Sequence, residues 1–343
     1  MDEEAALALF HSNDLLSIGS AADEVRNRLH PQRHITYVID RNINYTNICI
    51  SKCKFCAFYR SAGASDAYVI SRRELAQKIR ETVELGGTQI LLQGGLHPDL
   101  RLQFYCDMLR FMKREFAVHI HGFSPPEIIH FARLNGMTVA ETISRLRSAG
   151  LDSIPGGGAE ILSDRVRCEI SPNKCSTDEW LSVMRVAHTL GIRTTATMMF
   201  AHRESYSDRV EHLSRIRQLQ DATGGFTAFI PWTFQPLNTA IGGAAAGGVE
   251  YLKTLAISRL FLDNIPNIQA SWVTQGAKIA QLALRFGAND LGSTMIEENV
   301  VRAAGVSFRM SLHEMRTIIE DAGFIPRQRD CYYNLIDSPT RKD

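Results

Sequence analysis

The chain has 343 residues, 45% of them apolar and 22% charged, with a formal net charge of +1. That balance excludes a disordered or fibrous protein, and without a Lys or Arg run it argues against a nucleic-acid groove or a polybasic membrane patch. No stretch of about 18 apolar residues occurs, so no bilayer-spanning helix is expected. The acidic start, Met1-Asp-Glu-Glu, is unlike a signal peptide, and a cytoplasmic location is expected.

In chain order, residues 1–34 read as two short amphipathic helices, residues 35–335 as one large domain and residues 336–343 as a tail. Apolar or β-branched runs predict strands at Ile43–Ile48, Thr88–Gln93, Ala117–Gly122, Leu151–Ile154, Arg193–Met199, Phe226–Ile230, Ile268–Val273 and Ala288–Ser293. Capping-box pairs announce helices between them: Ser71 with Glu74, Ser124 with Glu127, Thr138 with Glu141, Ser176 with Glu179 and Ser311 with Glu314. Gly86, Gly150 and Gly191 fall where helices should end. Eight strand–helix units predict an α/β fold, a (β/α)8 TIM-type barrel with its site at the C-terminal ends of the strands. Gly242–Gly248 reads as a flexible loop, and Met198 and Met199 as packing.

Seven cysteines occur, and Cys106, Cys168, Cys175 and Cys331 are scattered and read as structural. Cys49, Cys53 and Cys56 lie within eight residues of each other, spaced Cys-x3-Cys-x2-Cys. Structural zinc usually takes four protein ligands, often as two paired motifs. Here there is no second pair, and His97 as a fourth ligand has no pattern behind it. An iron–sulfur cluster held by three cysteines keeps one iron open to a small molecule, whereas electron-transfer clusters use four cysteines. The spacing therefore favours chemistry at a cluster. A non-catalytic metal-binding or redox-sensing barrel is the alternative of a different class.

The segment Cys49-Ile-Ser-Lys-Cys53-Lys-Phe55-Cys56 resembles the cluster loop of the radical S-adenosylmethionine (SAM) superfamily, with Phe55 at its aromatic position. Further segments resemble the branch that makes menaquinone and deazaflavin. They include Cys56-Ala-Phe-Tyr59, Gln93-Gly-Gly95, His119-Ile-His121, Pro155-Gly-Gly-Gly-Ala-Glu160, Phe226 to Pro236 and Gly287 to Gly292. The resemblance runs from about residue 35 to residue 335 and is strongest to the cyclase family of the futalosine route. It implies a [4Fe-4S] cluster on Cys49, Cys53 and Cys56, with S-adenosyl-L-methionine on the open iron. A 5′-deoxyadenosyl radical would then abstract hydrogen from C4′ of dehypoxanthine futalosine, followed by ring closure. Flavodoxin or ferredoxin is the implied reductant. Aminofutalosine synthase and FO synthase are sister activities.

Several residues carry a functional and a plainer reading. Phe55, Tyr59, Gln93, Gly94 and Gly95 are read as cofactor-binding, although a Gly-Gly pair also suits a tight turn. Glu160 suits the cofactor's ribose or ammonium, or simply a helix start. Arg167, rather than Arg165, is read as the partner of the methionine carboxylate, against a solvated surface pair. His119 and His121 alternate on one strand and share a face. With His202 they are the candidates for the base, and all three equally suit core histidines with satisfied nitrogens. Trp232 and Gln235 are read as a wall for an aromatic substrate and Asn289 and Asp290 as partners of its sugar.

Overall fold

The computed structural model describes residues 1–306 and 308–336. Its strands are β1 (His34–Val38), β2 (Asp40–Asn44), β3 (Gln89–Gln93), β4 (His119–Gly122), β5 (Ser153–Ile154), β6 (Arg193–Phe200), β7 (Phe226–Thr233), β8 (Asn267–Ile268), β9 (Asp290–Ser293) and β10 (Ile325–Gln328). Strands β2 to β8 form one parallel sheet in sequential order, with helices between them. Just past β8, Gln269 bridges in parallel to Asp290 and Ala270 N donates to Asp290 O at 2.8 Å. Strand β9 in turn pairs in parallel with β1, and β1 runs through Ile39 into β2. Backbone bonding thus continues around the whole ring, as a (β/α) barrel requires. Strand β10 pairs with the other edge of β1.

The expected strands are present, with two corrections. The first is not Ile43–Ile48 but the broken pair β1–β2, ending at Asn44. Its inward residues Asp40 and Asn42 are polar, so no apolar run marks it. The run Ile268–Val273 contributes only its start to a strand, because a helix begins at Trp272. The boxes of Thr138, Ser176 and Ser311 close reciprocally. Ser71 caps through its own side chain, and Glu127 reaches back to Ser124 N at 2.7 Å. Gly86, Gly150 and Gly191 have φ of 83°, 119° and 76°, which favours glycine.

The helices Glu3–His11 and Leu15–Leu29 pack on the barrel's side against helices Tyr206–Thr223 and Gly248–Phe261. Phe10 stacks on Tyr206 at 5.0 Å, and Lys253 Nζ donates to the Ser12 carbonyl at 2.7 Å. Residues 242–247 form no helix or strand. Of the tail, residues 337–343 lie outside the described residues. Among the described residues no helix is long and apolar enough to cross a membrane.

Along each strand, side chains alternate between the helix layer and the lumen. Ile90 and Leu92 are buried in the main apolar core, whereas Gln89, Leu91 and Gln93 line a cavity. The cavity holds about 290 Å³ inside the ring, and Trp232, Trp272 and Pro155 supply apolar wall.

Candidate active site

The cysteine loop follows β2 directly. Asn44 and Gln93 are register partners, so β2 and β3 deliver the loop and Gly94-Gly95 to one end of the barrel. There the two segments interlock: Gly95 N donates to Thr46 O at 2.9 Å and Ile50 N to Leu96 O at 3.0 Å. A Cβ on Gly95 would lie 2.2 Å from Ile48 O, and one on Gly94 would enter the Tyr45 ring. Neither glycine has a positive φ, so it is close packing rather than a tight turn that requires them. Arg60 ties the loop by donating to the carbonyls of Ala57, Phe58 and Tyr59 and pairing with Asp66 at 2.6 Å. Cys53 is buried with its Sγ 3.2 Å from Ser51 Oγ, while Cys49 and Cys56 are half-buried. Burial pushes the Cys53 thiol up to about 11.

Glu160 lies at the same barrel end. Its Oε1 accepts from Lys174 Nζ at 2.9 Å, and Lys174 sits 5.0 Å over the Phe55 ring. Its Oε2 is buried without a hydrogen-bond partner. Burial alone would favour the neutral amine of Lys174, but the neighbouring Cys53 and Glu160 outweigh it and raise its pKa. Nothing in the sequence marks Lys174 as the link between this carboxylate and the cysteine loop. Glu127, expected only as a cap, accepts from Tyr45 Oη at 2.7 Å and Gly94 N at 3.1 Å. It thereby fixes the exit of β3.

Four expected residues are placed elsewhere. Arg167 donates through Nε, Nη1 and Nη2 to the carbonyls of Gly158, Ala159 and Cys175, and through Nη2 to Cys175 Sγ. Its five donors brace the loop that carries Glu160 and leave none for a carboxylate ligand. Asn289 bonds Arg259, Ile268 N and Asn267, and Asp290 is gripped by Arg329 at 2.5 and 2.9 Å. Neither lines the cavity: β9 begins at Asp290, and its Leu291 and Ser293 face the lumen instead. Gln235 folds back onto the Thr233 carbonyl and hydroxyl at 3.2 and 3.0 Å. Trp232 and Gln93 do line the cavity.

Of the three histidines, His202 is bound to the backbone at both nitrogens. Nε2 is 2.9 Å from Met199 O, and Nδ1 accepts from Arg203 N at 2.7 Å. His119 and His121 share a face as expected, because both bond Ser153 Oγ, and His121 lines the cavity. Burial pushes His121 down to about 3, with His119 and Arg329 adding to the effect.

The radical SAM superfamily profile matches residues 43–216, and a profile described as CofH/MqnC C-terminal region matches residues 223–342. The chain belongs to the radical SAM superfamily. Enzymes named cyclic dehypoxanthine futalosine synthase are similar to it. That of Halalkalibacterium halodurans is 45% identical over 97% of this chain and 90% of its own length. That of Streptomyces coelicolor is 47% identical over 96% and 84%. The 5-amino-6-(D-ribitylamino)uracil–L-tyrosine 4-hydroxyphenyl transferase of Archaeoglobus fulgidus is 45% identical over 92% of both chains. Methylornithine synthase shares the fold, with a TM-score of 0.74 at 18% identity over 94% of this chain and 93% of its own.

Superfamily membership brings a [4Fe-4S] cluster and SAM. The residues fit both. Three free thiols stand on one tied loop, and beside them a buried carboxylate keeps one oxygen free to accept a hydrogen bond.

Proposed function

We propose that this radical SAM enzyme cyclises dehypoxanthine futalosine in menaquinone biosynthesis. The observation that carries the reading is 45–47% identity, over 96–97% of the chain, to two enzymes of that activity. Cys49, Cys53 and Cys56 would hold the cluster, and Glu160 Oε2, together with Phe55, Tyr59, Gln93, Gly94 and Gly95, would meet SAM. When bound, these groups supply a 5′-deoxyadenosyl radical.

The chain's own residues then confine and orient the substrate. C4′ of the ribose loses a hydrogen atom, the carbon bonds to the benzoate ring, and a proton and an electron leave to restore aromaticity. Reductive cleavage of SAM consumes one electron and ring re-aromatisation returns one, so the turnover balances with one proton released. Trp232 and Trp272 give the substrate ring an apolar wall, which also excludes water from a reactive carbon centre. His121, which burial keeps neutral and which lines the cavity, is assigned here as the acceptor of the proton. The first electron comes from a flavodoxin- or ferredoxin-type donor. Seven free cysteines suit a reducing, cytoplasmic setting.

The test is anaerobic turnover of the reduced, reconstituted protein with dehypoxanthine futalosine. Product lighter by two hydrogens should accompany methionine and 5′-deoxyadenosine, and deuterium placed at C4′ should appear in the deoxyadenosine. Since the transferase relatives match almost equally well, tyrosine with the ribitylaminouracil is the parallel assay. Turnover there and not with the futalosine derivative would replace this reading.

A further inference from the structure

Ser153 Oγ is the junction of a hydrogen-bonded chain leading out of the cavity. It lies 2.6 Å from His121 Nδ1 and 2.7 Å from His119 Nε2. A hydroxyl has one hydrogen, so it donates to one of these nitrogens and accepts N–H from the other. With both rings neutral, one histidine is protonated on the nitrogen facing Ser153 and the other on the nitrogen facing away. Among the described residues His121 Nε2 has no hydrogen-bond partner, and His121 lines the cavity. His119 is half-buried at the first position of β4, so it lies toward the barrel end opposite the cysteine loop.

We propose that His121, Ser153 and His119 form a relay that carries the proton released in the cavity to the outside at the end of the barrel remote from the cluster. The proposal rests on the cyclase reading, which requires one proton to leave per turnover. The proton binds His121 Nε2, Nδ1–H passes its own to Ser153 Oγ, the hydroxyl proton moves to His119 Nε2, and His119 Nδ1–H is lost to water. Each group ends with the proton count it began with. Each ring then returns to its starting tautomer by losing one N–H proton to water and regaining one at its other nitrogen, which moves no net proton along the chain.

The surroundings favour passage over storage. Burial holds His121 neutral, with His119 and Arg329 adding repulsion. Burial also lowers His119, opposed by Asp152 and Asp330 and assisted by Lys113. Asp152 is itself engaged by Lys113 Nζ at 2.5 Å and Ile120 N at 2.7 Å, and Tyr332 lies edge-on to His119 at 4.9 Å. Cys331 Sγ, 3.3 Å from Ser153 Oγ, is the remaining neighbour of the junction, and burial pushes its thiol up to about 12, so it stays protonated. The atom joining the two rings is the uncharged Ser153 Oγ.

Three variants test the relay: Ser153→Ala, which removes the junction, Ser153→Thr, which keeps a hydroxyl, and His119→Gln, which keeps a polar partner but cannot pass a proton. The first readout needs no turnover. In the full chain carrying 15N-labelled imidazoles, NMR should show His119 and His121 as opposite tautomers with respect to Ser153, and Ser153→Ala should change both signals. The second is the ratio of 5′-deoxyadenosine to cyclised product. Ser153→Ala and His119→Gln should slow product formation by about 100-fold, the lower range for loss of general-base assistance. Deoxyadenosine release should fall much less, so the ratio rises, and Ser153→Thr should restore coupling. Should Ser153→Ala not fold, His119→Gln gives the same reading. Unchanged product rates overturn the relay, as does a parallel fall of both products at constant ratio, or NMR signals of one histidine indifferent to Ser153. Wild-type protein that shows the paired tautomers yet leaves the substrate unchanged would overturn the cyclase reading and not the hydrogen-bonded chain.

Discussion

Glu160 shows what a single side chain contributes at this site. Its Oε2 accepts no hydrogen bond although it is buried, which costs desolvation, while Lys174 at 2.9 Å and Arg167, 3.7 Å from Oε2, balance the charge. An oxygen in that state is free to accept a hydrogen bond from a ligand. The cysteines divide along the same line. Cys106, Cys175 and Cys331 are buried in other segments, Cys168 is exposed, and Cys49, Cys53 and Cys56 share one loop. Replacing any of these three by Ala should therefore abolish iron and sulfide uptake on anaerobic reconstitution. The same change at Cys106, Cys168, Cys175 or Cys331 should leave the loaded metal content at the wild-type level. Loss of the cluster in one of the latter four would show that a fourth cysteine holds the iron.

At the scale of elements, the loop's position is set by its contact with the exit of β3. Gly95 leaves so little space that Ile48 O lies 2.2 Å from where a Cβ would stand. Gly95→Ala must push the loop and the strand end apart, at a cost of about 1–3 kcal/mol for overpacking. Denaturant unfolding should show this loss together with reduced iron occupancy. Gly63→Ala, where a Cβ meets nothing within 4 Å, should change neither. The Gly-Gly pair was visible in the sequence, but its reason was not, because the obstructing carbonyl belongs to a segment about 47 residues earlier, by the numbering. The broken first strand was hidden for a related reason. Polar side chains at Asp40 and Asn42 face the lumen, and a search for apolar runs passes over them.

Across the whole molecule, buried neutral histidines make stability depend on acid. Burial pushes both His121 and His212 down to about 3, against an unfolded value of about 6.5. Between these values the unfolded chain binds the proton and the folded chain does not, so stability rises with pH there. It is complete above pH 6.5 and declines as the pH falls from there toward 3. Each histidine contributes a slope of about 1.4 kcal/mol per pH unit. Urea midpoints measured from pH 7 to pH 5 should fall accordingly. His212→Gln, which lies outside the cavity lining, should flatten the dependence by one proton whatever its effect on stability at pH 7.

The local signals in this chain were sufficient for what is local. Three cysteines in one loop, hydroxyl–carboxylate caps and the repeat of strand and helix are set by near neighbours, so the barrel, its cluster and its superfamily followed from the linear order of residues. Side-chain partners distant in sequence were decided only by folding. Arg167 reads as a ligand for an anion until three backbone carbonyls take its donors. Asp290 reads as a sugar partner until Arg329, 39 residues later, claims it. His119 and His121 could not be told from His202 until one serine from the next strand joined the first pair and the backbone occupied the other. A hydrogen-bonding side chain has a fixed number of donors and acceptors, and only the tertiary structure determines which are already spent.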